Sequence, residues 1–424
     1  MPGQRKYWDV DIETMPWDKL RKLQEERLQS LVARAYEKTV LYRRKFDQVG
    51  IKPADIATLD DLKRLPLTEY LEDFCNTPLG DKLAVPFGEV KEINSTSGTI
   101  SGFTQPCCMT QREIELTYDA VSRALWAIGV RPWDIVQIVG GFPGAYRALG
   151  ATVLTPQAGR GNLDYQIRLA ALMNVTVLLH LPSLALRYLE RARELGINTK
   201  ETKLSLIVGA GEPLAETVRK KVKSEYGVSL YMVYGSTEVG PVAGECELQG
   251  GMHITADHYI VEIIDPQTRQ ALAPGEEGEV VVTTLQNEAM PLIRCRMGDI
   301  ASLLPYEPCP CGRTHPKMSL VKGRVGHIIR VKGKKLLPID VEEVLTSIPD
   351  LGNEYQIITG GRQELDRLKV KVETRPGIGE LKRLKEQTEQ VLHQRLGVDS
   401  EVELVPSGSL PRVLFKAQRL VTIP

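Results

Sequence analysis

The sequence predicts an α/β protein with a large N-terminal domain, which contains parallel α/β sheets and a β-rich subdomain, and a small mobile C-terminal α+β domain. Three observations support this fold class. Between residues 111 and 234, short apolar runs alternate with amphipathic helices and end in Gly-rich turns, as in parallel sheets. Between residues 253 and 304, strands follow one another without helices. After Gly323, strands and helices mix over about 100 residues, the size of a small domain.

The elements of the large domain follow from hydrophobic periodicity. Leucines recur at helical spacing between Trp17 and Thr39, with charged residues between them, and predict one amphipathic helix. In the alternating region we predict, in order, a helix over 111–128, a strand over 135–139, a helix ending near Met173, a strand over 175–179, a strand over 204–208, a helix to Tyr226 and a strand over 230–234. The β-rich subdomain is predicted to hold strands over 259–265, 278–285 and 299–304.

The C-terminal domain is predicted to begin at a flexible glycine. We place the boundary between residues 1–325 and 326–424, with the hinge at 324–326, because glycine rotates about its backbone without steric cost. The predicted elements are, in order, a hairpin of strands over 327–331 and 334–337, a helix over 338–345, strands over 355–359 and 368–373, a helix over 380–396 and a last strand over 402–405.

Composition excludes several classes of protein. The 54 Lys and Arg residues balance 54 Asp and Glu residues, so the basic surplus of a nucleic-acid-binding protein is absent and we expect no such partner. The uncharged stretch 169–186 contains Asn174, His180 and Pro182, and it predicts a helix end, a strand and a second helix rather than a membrane span. Seven cysteines, an odd number, in a long chain with a polar start favour the reducing cytoplasm over a disulfide framework.

A Gly- and hydroxyl-rich segment from Asn94 to Thr104 is a candidate phosphate loop. Small side chains let backbone N–H groups close around phosphate oxygens, and the hydroxyls add donors. The segment lacks the Gly-Lys-Ser/Thr sequence that a P-loop requires. An ordinary polar surface loop is the alternative.

Three further segments carry side chains suited to nucleotide chemistry. Thr237 and Glu238 follow a predicted buried strand, where a hydroxyl suits phosphate and a carboxylate suits magnesium, which prefers oxygen ligands. An exposed helix cap is the alternative there. Asp299 is suited to accept both hydroxyls of a ribose. Near the end of the chain, Lys416 would reach a phosphate site if its domain moves, and the alternative is a solvated tail residue.

In order and spacing, these segments resemble the phenylacetate–coenzyme A ligase family, within the adenylate-forming superfamily of acyl-CoA synthetases and firefly luciferase. The resemblance runs nearly end to end, beginning at Trp8 and residues 13–15. It implies roles for named residues: phosphate binding for Thr96, Ser97, Gly98 and Thr99; adenine binding for Gly211, Glu212 and Pro213; adenine and magnesium binding for Tyr234, Gly235, Ser236, Thr237 and Glu238; ribose binding for Asp299; the motif before the hinge for Gly323 and Arg324; and catalysis for Lys416.

The sequence departs from the family pattern at three places. Residues 100–103 read Ile-Ser-Gly-Phe where the family usually has Thr-Gly-Lys-Pro, which removes one charge near the β- and γ-phosphates but leaves the backbone cradle. Gly326 stands where the family has a hinge Asp, and Phe415 stands where it has a Gly before the catalytic Lys.

The resemblance implies an ATP-dependent carboxylate–CoA ligase. Such an enzyme activates a small carboxylic acid, here an aryl acid, as an acyl-adenylate and transfers the acyl group to coenzyme A with release of AMP and pyrophosphate. ATP, coenzyme A, magnesium and a structural zinc ion are implied, and a homodimer is left open. Two other classes remain: an adenylate-forming enzyme with another acid or acceptor, such as an amine or a deazaflavin, and a non-catalytic nucleotide-binding homologue. A chain that only bound nucleotide would not need Lys416.

The resemblance also implies an acyl pocket and a metal site. Phe142 and Tyr146 would flank an aromatic ring beside Gly209 and Ala210, with ordinary packing as the alternative. The sequence contains four residues that are similar to the zinc-binding cluster of some family members: Cys246, His253, Cys309 and Cys311. Three thiolates and one imidazole make a closed tetrahedral shell, which indicates a structural role. The alternative is that the four residues are unrelated. His315 is a substitute candidate for a metal ligand. The other cysteines are predicted to lie in the core: Cys75, Cys107, Cys108 and Cys295.

Overall fold

The protein forms two compact units. The structure, a computed structural model, describes residues 5–96, 104–138, 141–156, 162–360, 364–412 and 419–422. Unit 1 comprises Met1–Leu154 and Tyr231–Leu320, and unit 2 comprises Thr155–Leu230 and Val321–Pro424. The domain boundary between residues 325 and 326 stays a prediction.

The helices and strands of the described residues number as follows in chain order. The helices are α1 (Val10–Glu13), α2 (Trp17–Lys38), α3 (Val40–Gln48), α4 (Leu79–Lys82), α5 (Gln111–Ala127), α6 (Pro143–Ala148), α7 (Leu163–Leu172), α8 (Pro182–Glu194), α9 (Glu216–Tyr226), α10 (Pro338–Leu345) and α11 (Leu381–Leu396). The strands are β1 (Val90–Ser95), β2 (Pro106–Thr110), β3 (Ile135–Ile138), β4 (Thr152–Leu154), β5 (Val177–His180), β6 (Leu206–Gly209), β7 (Ser229–Ser236), β8 (Gly240–Gly244), β9 (Met252–Ile254), β10 (Tyr259–Ile264), β11 (Gly278–Thr284), β12 (Cys295–Ala301), β13 (Lys317–Met318), β14 (Gly323–Arg324), β15 (Ile329–Val331), β16 (Lys334–Leu336), β17 (Leu351–Ile358), β18 (Leu368–Thr374), β19 (Ser400–Val405) and β20 (Leu420–Val421).

Local sequence explains where the helices begin and end. α2 and α5 each end one residue before the predicted position. α5 begins where Thr110 and Glu113 exchange hydrogen bonds between side chain and backbone, at 2.7 and 3.2 Å, which satisfies two backbone N–H groups that the helix leaves unpaired. α9 ends at Gly227, whose left-handed φ of 76° suits glycine. These signals lie within a few residues of each helix end, so the sequence alone reveals them.

In unit 1, antiparallel pairing dominates the β-rich part. β10, β11 and β12 form a meander without intervening helices, as predicted. β7, β8, β9 and β13 pair antiparallel in succession, β3 pairs parallel with β4, and β1 with β2 forms the hairpin that brackets the candidate phosphate loop. Side chains of α2 and α3 share a core with Leu285 and Ile293, which joins the N-terminal helices to the meander.

Two predicted strand boundaries in unit 1 are wrong. The strand predicted over 230–234 continues to Ser236, because Gly235 and Ser236 still pair with β8. The strand predicted over 299–304 is β12, which begins four residues earlier and contains Asp299. Its first residues pair with Val281 and Val282 of β11. In both cases pairing with a neighbouring strand decides where the strand begins or ends, and hydrophobic periodicity does not report that pairing.

Unit 2 contains a parallel pair and a small α+β layer. β5 and β6 pair parallel, with α8 and α9 following them, as predicted. β15 and β16 form the predicted hairpin, and β17–β18 pair antiparallel while β18–β19 pair parallel. The expectation that 402–405 is the last strand is wrong, since β20 pairs parallel with β17. β20 has two residues, which is too short for any periodicity to reveal. Apolar residues of β15–β19, α10 and α11 form one buried core.

The positions of the cysteines agree with the predictions. All seven cysteines are buried, which confirms the core positions of Cys75, Cys107, Cys108 and Cys295. Among the described helices, none combines the length and the apolar content that crossing a membrane requires.

Candidate functional site

The segment predicted to bind adenine and magnesium forms a tight turn between β7 and β8. The last residue of β7, Ser236, pairs with the first residue of β8, Gly240. Gly235 must be glycine, because a Cβ atom there would lie 2.2 Å from the carbonyl oxygen of Gly240. Thr237 is exposed and Glu238 is half-buried in the turn itself. The segment is therefore a hairpin turn, and the alternative of a helix cap is wrong.

The same hairpin contacts the carboxylate predicted to bind ribose. The hydroxyl of Tyr234, on β7, donates a hydrogen bond of 3.0 Å to Oδ2 of Asp299 on β12. Asp299 is buried, with 8% of its surface exposed. A carboxylate that accepts a hydrogen bond in a buried position has a fixed orientation. The structure thus brings together two predicted residues that lie 65 positions apart in the chain.

Glu238 has a second tyrosine as its partner. Tyr70 donates a hydrogen bond of 2.5 Å to Oε1 of Glu238, whereas the described residues donate none to Oε2. Burial, and next the charge of Glu238, raise the pKa of Tyr70, so the phenol stays protonated and remains a donor. Nearby, the buried hydroxyl of Ser236 has no hydrogen-bond partner among the described residues. An unengaged carboxylate oxygen and an unpaired buried hydroxyl in one turn fit an oxygen-liganded cation and its phosphate.

The candidate phosphate loop is closed at its base by Thr96. The backbone N–H of Thr96 donates to the carbonyl of Gln105 at 3.0 Å, and the hydroxyl of Thr96 accepts from the N–H of Gln105 at 2.9 Å. These bonds hold the two ends of the loop together. The rest of the predicted loop lies outside the described residues: Ser97, Gly98, Thr99 and 100–103.

A buried lysine that the sequence analysis missed lies beside the base of this loop. The ammonium of Lys82 donates to the carbonyl of Phe74 at 2.6 Å and approaches the amide oxygen of Gln105 at 3.4 Å. Only 4% of the surface of Lys82 is exposed, and burial lowers the pKa of its ammonium. Lys82 is one residue among many charged ones in the sequence, so no local pattern identifies it as buried.

The turn predicted to contact adenine, 209–213, lies in unit 2 at the carboxyl end of β6. β6 pairs parallel with β5, so both strands end at the same edge, which is where α/β sheets bind ligands. Gly211 adopts a left-handed φ of 78° that allows the sharp turn. The hydroxyl of Ser183 donates to Oε2 of Glu212 at 2.6 Å, which fixes the turn to the start of α8. Gly209 is buried and Ala210 half-buried beside it.

The remaining predicted residues differ in their surroundings. Phe142 is half-buried just before α6, whereas Tyr146 within α6 is only 2% exposed. Burial raises the pKa of Tyr146. Arg324 lies on β14 in unit 2. Lys416 lies outside the described residues.

Four residues of unit 1 form a compact cluster of metal-binding donors. The ligand atoms of Cys246, His253, Cys309 and Cys311 all lie within 4.8 Å of one another, and all four residues are buried. Nε2 of His253 is 3.5 Å from Sγ of Cys311. The structure therefore brings together the pairs that the sequence separates by 56 positions. Three thiols and one imidazole are the donor set of structural zinc sites, so the residues present fit the ion.

Contacts around the cluster orient its imidazole. Nδ1 of His253 lies 3.3 Å from the carbonyl of His315, a contact that leaves Nε2 directed toward the thiols. His315 itself is engaged elsewhere, since its ring nitrogens lie 2.9 Å from the carbonyl of Ile254 and 3.0 Å from that of Ile12. Within the described residues, His315 is thus an orienting neighbour and not a member of the cluster.

Comparison with known proteins gives the family. Residues 135–287 match the model of the AMP-binding enzyme family, and residues 333–422 match that of the AMP-binding enzyme C-terminal domain. The phenylacetate-coenzyme A ligases of Thermus thermophilus and Escherichia coli are each 35% identical to the chain, over 96% of the chain and 96% of the relative. The chain belongs to the phenylacetate–coenzyme A ligase family. The resemblance that the motifs indicated is confirmed.

Solved structures agree with this family assignment. A structure of 2-hydroxyisobutyryl-CoA ligase in the postadenylation state with R3-HIB-AMP has a TM-score of 0.90 at 25% identity, covering 100% of this chain and 94% of that one. An open conformation of the same ligase with 2-HIB-AMP and CoA has a TM-score of 0.71 at 26% identity, covering 100% of this chain and 96% of that one. The predicted fold class of the ligase family is therefore confirmed.

Proposed function

We propose that the protein is an AMP-forming carboxylate–CoA ligase. It joins an acid to ATP as an acyl-adenylate with release of pyrophosphate, and it then transfers the acyl group to the thiol of coenzyme A with release of AMP. One observation carries the proposal: a single hairpin holds Glu238 in its turn and hydrogen-bonds to Asp299. The match of 96% of the chain to a ligase of this family supports it. Pairing a carboxylate for a metal with one for a ribose suits the binding of ATP.

In the first half-reaction, residues of unit 1 bind the ribose and the phosphates of the nucleotide. Asp299, oriented by Tyr234, accepts the ribose hydroxyls, and Thr96 with the loop that follows cradles the phosphates. Glu238 would hold the magnesium ion, which would supply positive charge against the phosphates when bound. Thr237 donates its hydroxyl to a phosphate. The acid carboxylate and the α-phosphate repel each other, so fixed positions for both partners lower the cost of bringing them together.

The second half-reaction requires a rearrangement of the catalytic residues. Lys416 supplies an ammonium beside the α-phosphate during adenylation and leaves when the thiol attacks. We place this movement at Gly326, between domains 1–325 and 326–424, with Gly323 and Arg324 in the motif before the hinge. A mixed anhydride hydrolyses in water, so a movement that also closes the site protects the intermediate.

The acid is proposed to be an aryl acid, the substrate class that the names of the curated relatives print. Phe142 is the better candidate for contact with an aromatic ring, because it is half-buried while Tyr146 is enclosed by the core. From the family resemblance we also propose that Gly209 and Ala210 contact the acid. Because glycine and alanine have little side-chain volume, these two positions do not select one acid over another.

The cluster of Cys246, His253, Cys309 and Cys311 is proposed to hold a structural zinc ion. All four donors are buried, and a tetrahedral shell of protein ligands leaves no open position for substrate. Seven cysteines, an odd number, favour a reducing compartment, and we therefore propose that the enzyme works in the cytoplasm.

The test is release of pyrophosphate and AMP from ATP with a panel of aryl and short aliphatic acids, with and without coenzyme A. The proposal expects acid-dependent pyrophosphate release and coenzyme A-dependent AMP release. AMP release that is the same with and without coenzyme A would indicate another acceptor. If no acid causes release of pyrophosphate, the protein would be a nucleotide-binding homologue. In Lys416→Ala, adenylation should collapse while thiolysis of supplied acyl-adenylate persists. Equal loss of both half-reactions would reject the role of Lys416.

A further inference from the structure

We propose that Tyr70 is a positioning residue that holds the carboxylate of Glu238 in one orientation, with Oε1 engaged and Oε2 presented to a divalent cation. The inference rests on the proposed function, which places magnesium at Glu238. Tyr70 lies 168 positions before Glu238 and belongs to none of the motifs that the family resemblance identifies.

The contact itself has the geometry of a strong hydrogen bond. The oxygen–oxygen distance between Tyr70 and Glu238 is 2.5 Å, which is the range for a hydroxyl that donates to a charged carboxylate. The ring of Tyr70 stacks on that of Phe74, with centroids 5.7 Å apart and planes at 27°. The stacking restricts rotation of the phenol, so its hydroxyl stays directed at Oε1. Oε2 receives no hydrogen bond from the described residues.

The backbone before Tyr70 is bonded to the strand that carries the ribose-binding carboxylate. The N–H of Thr68 donates to the carbonyl of Arg294 at 2.9 Å, and the N–H of Arg296 donates to the carbonyl of Thr68 at 3.0 Å. The guanidinium of Arg296 also donates to the carboxylate of Glu69 at 2.9 Å. Tyr70 therefore has a fixed place relative to β12, and through Tyr70 that strand also determines where Glu238 lies.

A fixed carboxylate binds a cation better than a freely rotating one. Glutamate loses rotamer freedom when it binds a metal, and a side chain that is already ordered loses less. Outer partners of this kind, which hydrogen-bond a metal ligand, typically change metal affinity by about 10–100-fold when they are removed. Because Tyr70 leaves Oε2 unengaged, it orders the ligand without competing for the oxygen that the cation would use.

The test measures Mn²⁺ binding by electron paramagnetic resonance in the presence of a non-hydrolysable ATP analogue. Tyr70→Phe should raise the Mn²⁺ dissociation constant about 10-fold. The Mg²⁺ concentration at half-maximal pyrophosphate release should rise in parallel, with kcat at saturating Mg²⁺ nearly unchanged. The matched control is Tyr36→Phe, which removes a tyrosine–carboxylate hydrogen bond of 2.9 Å to Asp47 on the surface and should leave Mn²⁺ binding unchanged.

A double-mutant cycle separates positioning from loss of structure. In a Glu238→Gln background, Tyr70→Phe should not weaken Mn²⁺ binding further, because its effect requires the carboxylate. An equal loss in both backgrounds would overturn the inference, since it would mean that Tyr70 acts on the fold. Unchanged Mn²⁺ binding in Tyr70→Phe would overturn it as well. A wild-type enzyme that binds Mn²⁺ with the analogue but releases no pyrophosphate with any acid would reject the proposed function and leave the role of Tyr70 standing.

Discussion

The cluster of Cys246, His253, Cys309 and Cys311 makes a prediction about stability that does not depend on the substrate. Cys309→Ser replaces one thiolate by a hydroxyl, which is a poor zinc ligand, and leaves a site of three donors. We expect the wild-type protein to contain one zinc ion per chain and the variant to contain much less. The variant should also unfold at a lower temperature, because zinc binds the folded cluster and not the separated ligands of the unfolded chain.

The size of the effect follows from linkage between binding and folding. The four donors are buried and lie within 4.8 Å of one another, whereas His253 and Cys309 are 56 positions apart in the unfolded chain. Free zinc at 100 times its dissociation constant would stabilise the folded unit by about 2.7 kcal/mol. For a domain of roughly 150–250 residues, this corresponds to a shift of the melting temperature of about 5–11 °C.

The assay pairs metal analysis by mass spectrometry with thermal unfolding before and after treatment with a zinc chelator. Cys108→Ser is the matched control, since it changes a buried cysteine outside the cluster to the same residue. The chelator should lower the melting temperature of the wild type and of Cys108→Ser but change that of Cys309→Ser little. Full zinc content in Cys309→Ser would refute the reasoning. So would a wild-type protein that contains no zinc and whose melting temperature does not change when zinc is added.

Three further variants test the nucleotide site and unit 2. Tyr234→Phe should raise the KM for ATP about 10-fold with little change in kcat, because Asp299 loses a charge-assisted hydrogen bond; an unchanged KM in steady-state kinetics would contradict this. Gly235→Ala should abolish ATP binding in calorimetry, since its Cβ would clash with the carbonyl of Gly240; wild-type affinity would show that the hairpin adapts. Burial raises the pKa of Glu342 to about 7, so unit 2 should lose stability as pH rises from about 4.5 to 7. Glu342→Gln should remove this slope from melting curves, and an identical slope would assign it to other groups.

Much of the fold was predictable because its signals are local. Helical periodicity predicted the bounds of α2 and α5 to within one residue, and the hairpin of β15 and β16 was recognisable around Gly333. The alternation of apolar runs and helices indicated the parallel pairs. The start of β12 and the two residues of β20 were missed, because a strand's limits depend on its pairing with another strand.

The residues of the candidate site also divide into those that the sequence predicted and those that only the structure revealed. From its motifs and the family resemblance, the sequence predicted Glu238, Asp299 and the four members of the Cys/His cluster as site residues. Only the tertiary structure decided that Tyr70 hydrogen-bonds to Glu238, that Lys82 is buried beside the base of the candidate phosphate loop, and that His315 orients His253 without joining the cluster. These contacts join segments that are far apart in the chain. A hydrogen bond or a buried charge depends on which segments meet in space, and hydrophobic periodicity records only that a residue faces inward, not which residue it faces.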